Sequence, residues 1–178
     1  MRISISGTPG TGKHSIARRV SHRLRLTLVD LGPFAKKNGL TVPDPERYTN
    51  RVTDMAKVVE LMDDFKDCIF VSNWAELIPN DLCIVVRCHP AELVRRLSNR
   101  NYPLSKIQEN VEAECLDYCL ISALDGCEKV GEIDNTRDLE LSADIAASLV
   151  RGSREPEHGK LDYSEYVDRV SELIQESL

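Results

Sequence analysis

The sequence predicts an α/β fold, in which helices flank a five-stranded, mostly parallel sheet and one more helix follows at the C-terminus. Two observations support this. Short strand-like segments alternate with helical patterns along the chain. Two of those segments, 68–72 and 82–88, are nearly continuous apolar runs, as expected of parallel strands that are covered on both faces. A length of 178 residues, with 42% apolar and 29% charged residues, fits one globular domain.

Each element follows from a local periodicity. The strands are expected at 3–6, 27–31, 68–72, 82–88 and 129–134, and the helices at 13–26, 33–40, 52–65, 90–99, 105–124 and 139–150. Residues 42–50 are polar and contain two prolines, which predicts a loop.

The last 28 residues are predicted to form two further segments. Residues 151–160 are polar, contain glycine and proline, and predict a linker after a main domain at 1–150. Residues 161–178 carry an amphipathic stripe and predict a C-terminal helix. That helix is expected to pack on its own domain, with docking on a partner as the alternative.

Composition excludes several classes of protein. The longest apolar run has five residues, whereas a bilayer span needs about 20, so no membrane role is expected. A net charge of −6 argues against a general nucleic-acid coat, and no DNA role is expected. The six cysteines lie mostly in apolar, periodic stretches and predict core residues of a reducing compartment. Since a strand and a glycine-rich loop occupy the start of the chain, no signal peptide is expected and the protein is predicted to be cytoplasmic.

Other site patterns are weaker. Cys88-His89 and the pair Cys115 and Cys119 could be metal ligands, but no second pair has zinc spacing, so core packing is preferred. The sequence has no Gly-x-Ser-x-Gly elbow that would support a serine hydrolase.

A glycine-rich loop, Gly7-Thr-Pro-Gly-Thr-Gly-Lys13, joins the first strand to the first helix. Glycines let backbone N–H groups surround phosphate oxygens, and the helix N-terminus adds a partial positive charge. Gly10, Gly12 and Lys13 are therefore candidate nucleotide ligands, with the lysine reaching the outer phosphates. This is the pattern of a P-loop NTPase, although a plain glycine-rich turn remains the alternative.

One residue departs from that pattern. A Ser or Thr usually follows the lysine, and its hydroxyl binds Mg²⁺. Here His14 follows it, and Ser15 lies about 100° further round the helix. His14 and Ser15 are still expected beside the nucleotide. Phosphate binding should not be affected by this change, whereas the binding of Mg²⁺ at its usual position is in doubt.

Two groups of basic residues accompany the loop. Arg87 ends the fourth strand and is expected on the ligand side of the sheet, and Arg96 and Arg100 share a helix face after it. Arginines bind two phosphate oxygens at once and stabilise transferred charge, although a charged surface helix is the alternative. The first helix contains Arg18, Arg19, His22, Arg23 and Arg25, which predict a solvated face or an RNA- or partner-facing patch.

These residues make the chain resemble a known family, the small P-loop adenylate kinases of archaea and eukaryotic nuclei that double as ATPases in small-ribosomal-subunit maturation. The likeness covers residues 1–150. The matching residues are Ser6–Lys13, Val86-Arg87, Arg96-Leu97, Arg100-Asn101-Tyr102, Lys106-Ile107, Glu109-Asn110, Glu112-Ala113-Glu114 and Glu132-Ile133-Asp134.

The resemblance implies transfer of the γ-phosphoryl group of ATP to AMP, with an AMP-binding segment at about 30–53 and an ATP lid at about 99–109. Lys13, Arg100 and Arg96 would be the catalytic residues, Arg100 contacting ATP and Arg87 being an alternative to Arg96. Arg47 and Arg51 are candidates for the AMP side. The family also implies ATPase activity, a role in rRNA processing and a ribosomal-protein or pre-ribosome partner.

The chain departs from the family beyond His14. Val71 stands where an Asp is usual after the third strand, and Asn73 and Glu76 stand where histidines follow. Asn73 and Trp74 could equally be packing residues at a strand end. Loss of the Asp and of the hydroxyl affects Mg²⁺ holding. A nucleotide-binding ribosome-assembly module with little catalysis is therefore the alternative function, and a kinase for another small phosphate acceptor is a third.

Overall fold

The computed structural model describes residues 1–45 and 49–177, and their central feature is a parallel five-stranded sheet. Its strands are β1 (Arg2–Ser6), β2 (Thr27–Asp30), β5 (Cys68–Val71), β6 (Leu82–Arg87) and β7 (Val130–Asp134), in the spatial order β2-β5-β1-β6-β7. A separate antiparallel hairpin joins β3 (Thr41–Asp44) to β4 (Thr49–Val52). The first strand thus lies in the middle of the sheet, and the loop after it lies at the sheet's carboxyl edge.

Helices cover both faces of this sheet, which confirms the predicted fold class. They are α1 (Lys13–Leu24), α2 (Leu31–Lys37), α3 (Met55–Met62), α4 (Pro90–Ser98), α5 (Leu104–Cys115), α6 (Tyr118–Gly126), α7 (Leu139–Val150) and α8 (Val170–Ser177), with short 3₁₀ helices at Ala75–Leu77 and Ser164–Arg169. Within the described ranges, no helix combines the length and the apolar character that a bilayer span requires.

Alternating side chains divide the core between the two faces. On β6, Ile84 and Val86 belong to the cluster that packs against α1 and α7. Cys83 and Val85, on the opposite face, pack with α6. A strand that is covered on both faces needs apolar side chains at every position, which explains the continuous apolar run in the sequence.

Two local predictions are wrong. Residues 42–50 were predicted as a loop, but the described residues on either side of 46–48 pair as β3 and β4, with Pro43 opposite Asn50. Proline is tolerated because a two-stranded hairpin has only edge strands. The predicted helix 105–124 is broken at Asp117, whose φ of 54° is left-handed. Asp tolerates that conformation, and its carboxylate pairs there with the Arg87 guanidinium.

The C-terminal segment packs on the main domain. Tyr163, Val170, Leu173 and Ile174 are buried in one cluster with side chains of α4 and α5. Residues 151–160, the predicted linker, run beside β7, where the Glu132 N–H donates to the Glu157 carbonyl at 2.8 Å. The helix α8 begins only at Val170, because a 3₁₀ helix occupies the preceding residues.

Candidate functional site

The loop between β1 and α1 has a conformation that requires glycine. Gly10 and Gly12 have φ angles of 99° and 94°, which L side chains rarely adopt. A Cβ atom on Gly10 would lie 2.5 Å from a Leu93 methyl group, and one on Gly12 would lie 2.3 Å from Nδ2 of Asn135. The loop is therefore closely backed by α4 and by the residues after β7, and its open side faces the cavity described below.

Arg96 supports this loop from behind. Its guanidinium donates to the carbonyl oxygens of Thr11 (3.2 Å), Asn135 (2.8 Å) and Thr136 (3.0 Å), and Glu92 accepts a further bond from it. The Asn135 side chain donates to the same Thr11 carbonyl at 2.7 Å. Arg96 does not line the cavity, and in this structure it fixes the loop backbone.

Lys13 is almost completely buried at the start of α1. Its ammonium lies 3.4 Å from the Thr8 carbonyl, and it forms no ion pair with any described residue. Burial, aided by the positive charge of Arg100, lowers the pKa of Lys13 to about 8. A desolvated ammonium of this kind gains strongly from a phosphate anion placed beside it.

A single cavity of about 740 Å³ extends from the loop to the hairpin. One end contains the loop and the side chains of Arg100 and Tyr102. The other end contains basic, acidic and aromatic side chains of α2, the hairpin and the segment after β5. The lining residues are Pro9, Gly10, Gly12–Ser15, Asp30, Gly32, Pro33, Lys36, Thr41, Asp44, Asn50–Val52, Met55, Ser72–Trp74, Arg100 and Tyr102.

The structure places most of the predicted site residues around this one cavity: Gly10, Gly12, Lys13, His14, Ser15 and Arg100 line it, and Arg51, the candidate for the AMP side, lines its far end. Arg100 is exposed and forms no ion pair with any described residue. Arg47 lies outside the described residues. Asn73 and Trp74 follow the end of β5 and also line the cavity.

Arg87 is not in the cavity, and the prediction that it faces the ligand is wrong. Its side chain is 1% exposed and pairs with Glu114 (2.8 Å), Glu132 (2.7 Å) and Asp117. The Tyr163 ring covers its guanidinium at 5.3 Å. Its strand ends at the ligand side of the sheet, but the neighbouring carboxylates of α5 and β7 hold its side chain inside the protein.

His14 occupies the position of the usual Mg²⁺-binding hydroxyl and contacts an acid. Its Nε2 atom lies 3.3 Å from Oδ2 of Asp30, which ends β2. Burial, together with the nearby Lys13, lowers the pKa of His14, so the imidazole is neutral at pH 7. The usual Asp position is Val71, which is 1% exposed. An imidazole turned toward Asp30 and a buried valine do not supply the hard oxygen ligands of a P-loop Mg²⁺ site.

Two acidic residues of this region were not among the predicted site residues. Asp30 was placed only at the edge of an AMP segment, although its position at the carboxyl end of a parallel strand marks it as a site residue. Glu76 is buried beneath the loop, accepts a hydrogen bond from the Ser6 hydroxyl, and has a pKa raised by burial. A long-range contact of this kind leaves no local signal in the sequence.

Comparison with known proteins agrees with this geometry. The family model described as "AAA domain" matches residues 3–117, from β1 to the end of α5. A protein from Archaeoglobus fulgidus with the name "Putative adenylate kinase" is 36% identical over 183 aligned residues, covering 98% of this chain and 99% of that protein. One of the same name from Pyrococcus furiosus is 40% identical over 136 residues, 76% of each chain. The chain belongs to this family of P-loop kinases.

Solved structures show the same fold at low identity. Deoxyadenosine kinase from M. mycoides with bound dATP superposes with a TM-score of 0.59 at 13% identity, over 85% of this chain and 100% of that chain. Shikimate kinase from Bacteroides thetaiotaomicron gives 0.53 at 15% identity, over 85% and 98%. This P-loop kinase therefore has the general architecture of small-molecule kinases, with a nucleotide-binding loop at its centre.

Proposed function

We propose that this P-loop kinase transfers the γ-phosphoryl group of ATP to AMP and forms two ADP. The observation that carries the proposal is the shape of the cavity, which joins the phosphate loop at one end to the basic residues Lys36 and Arg51 at the other. Two phosphate-bearing substrates can thus meet inside one enclosure. The names of the archaeal relatives support adenylate as the acceptor.

A residue of this chain can be assigned to each part of the transfer. The loop N–H groups and Lys13 would hold the β- and γ-phosphates, and Arg100 would neutralise charge on the group in transfer. An oxygen of the AMP phosphate attacks the γ-phosphorus while the bond from that phosphorus to the β-phosphate oxygen breaks. Lys36 and Arg51 would hold the attacking phosphate. Catalysis would rest mainly on positioning and electrostatics.

The test is ADP production from ATP with and without AMP, at several Mg²⁺ concentrations. AMP-dependent ADP formation supports the proposal, whereas faster turnover with CMP or dephospho-coenzyme A would identify another acceptor. Arg100→Gln should lower kcat at least tenfold. Arg95→Gln is the matched control, because Arg95 is exposed and pairs with Glu92 outside the cavity. Equal activity of the two variants would contradict the role of Arg100.

A second function is favoured by the residues at positions 14 and 71. Because His14 and Val71 do not form the usual Mg²⁺ site, the chain could act as a nucleotide-binding module in small-ribosomal-subunit maturation, with weak ATPase activity and a ribosomal-protein or pre-ribosome partner. Firm ATP binding without AMP-dependent turnover would favour this function. We place either activity in the cytoplasm, where thiols such as the six free cysteines stay reduced.

A further inference from the structure

The segment from α5 to the end of α6 is rich in acidic residues. Residues 107–128 contain six acidic residues and neither lysine nor arginine; the acids are Glu109, Glu112, Glu114, Asp117, Asp125 and Glu128. The single positive charge of Arg87 is shared among Glu114, Asp117 and Glu132, and Lys106 pairs with Glu109. Asp125 and Glu128 are exposed, and neither forms an ion pair with any described residue. Lys129 follows directly and is also exposed, so one net negative charge remains at the C-terminal end of α6.

The same helix and the turn before it expose large apolar side chains. Leu116, in the turn, is 56% exposed, and on α6 Tyr118 is 66% exposed, Ile121 54% and Leu124 43%. The opposite face of α6 buries Cys119, Leu120 and Ala123 against the sheet. A surface helix normally has one apolar face and one polar face. Because α6 is apolar on both, its outer face is a candidate contact surface rather than an ordinary solvated face.

These side chains surround a second cavity, of about 260 Å³, which shares no residue with the nucleotide cavity. It is lined by Leu116, Tyr118, Ile121, Ser122 and Asp125. An apolar depression with a carboxylate in its wall fits an apolar side chain next to a cation. We propose that the outer face of α6 binds a basic amphipathic helix of a partner protein. The leucine-like side chains of that helix would contact Ile121 and Tyr118, and one of its lysines or arginines would pair with Asp125.

A second copy of the chain fits this surface less well. In a two-fold dimer the same patch lies on both subunits, so two patches of net negative charge would face each other. Like charges across an interface oppose association. A basic partner removes that repulsion and also matches the apolar centre, in the manner of helices that bind hydrophobic grooves.

The probes are two fluorescent peptides of about 18 residues, long enough to form a helix. They share the same leucine positions and carry either lysine or glutamate at the polar positions. Fluorescence anisotropy with the full chain should show the lysine peptide binding at least tenfold more tightly. Ile121→Ser should weaken binding about tenfold, as expected for a central contact. Leu141→Ser, on α7 and 57% exposed, is the matched control and should change it less than twofold.

Charge reversal separates a defined site from general attraction to an acidic protein. Asp125→Lys should weaken binding of the lysine peptide at least tenfold and favour binding of the glutamate peptide. Asp64→Lys makes the same change of charge at an exposed position of the loop after α3 and should have little effect on either affinity. Equal effects of the two reversals, or equal binding of both peptides, would overturn the proposal. So would self-association that Ile121→Ser abolishes, because the occupant would then be a second copy.

Discussion

The buried charge of Lys13 makes the affinity for ATP depend on pH. In the free protein, burial holds the pKa of Lys13 at about 8. In the complex, the β- and γ-phosphates beside the ammonium raise that pKa, because an anion favours the charged form. ATP binding is therefore coupled to proton uptake whenever Lys13 is deprotonated in the free protein. The affinity for ATP is highest at pH values well below 8 and falls as the pH rises through the pKa of Lys13 in the free protein.

The size of the effect follows from the protonated fraction of Lys13. With a pKa of about 8, roughly nine-tenths of the protein carries the ammonium at pH 7 and roughly one-tenth at pH 9. The Kd for ATP should therefore rise about tenfold between these values, which corresponds to about 1.4 kcal/mol of binding free energy. In the free protein, burial and the nearby Lys13 lower the pKa of His14, so the imidazole starts neutral in this interval.

The assay is calorimetric titration of ATP in the absence of AMP, at half-unit steps from pH 7 to 9. Terminal phosphates have their last pKa near 6, so the charge of ATP is nearly constant over the range. Lys13→Met is the control, and any affinity that it retains should not depend on pH. A wild-type Kd that stays within twofold from pH 7 to 9 would refute the reasoning.

Three further predictions concern other parts of the molecule. Arg87→Met should lower the free energy of unfolding by about 3–5 kcal/mol in urea titrations, since it leaves Glu114 and Glu132 buried without their cation; a loss below 1 kcal/mol would show that the network is unimportant for stability. Gly10→Ala should weaken ATP binding at least tenfold and lower the urea midpoint, because its Cβ atom would displace the loop from Leu93 and a φ of 99° strains an alanine; unchanged affinity would contradict the requirement for glycine in this loop. Cys127 should be the first cysteine that iodoacetamide modifies at pH 7, since hydrogen bonds from Cys83 and Asn80 lower its pKa to about 7; peptide mass spectrometry would disprove this if a different cysteine reacted first.

The fold could be predicted largely from the sequence because its signals are local. The phosphate loop, the continuous apolar strands and the helix spacing each lie within a short stretch, and the structure contains all of them. The break at Asp117 had no such signal. It depends on the Arg87 guanidinium 30 residues earlier in the chain, and the surrounding residues by themselves favour a continuous helix.

The site was predicted less completely for the same reason. Gly10, Gly12, Lys13 and Arg100 belong to motifs, and the structure gathers them round one cavity. The side chain of Arg87 could not be located from its strand position, because three acids from other elements determine its direction. The pairing of His14, in the first turn of α1, with Asp30, at the end of β2, likewise depends on the tertiary fold and not on spacing along the chain.

The contact between Asn135 and the Thr11 carbonyl joins residues that are 124 positions apart. During synthesis, the phosphate loop emerges first but lacks this support until most of the chain has followed, and β1 lacks its neighbours β5 and β6 until residue 87. Contacts of such long range make folding slow. A nucleotide that binds only the finished loop stabilises only the completed fold. ATP in the surrounding solution would thus act as a folding ligand, which selects complete chains and leaves truncated ones unprotected.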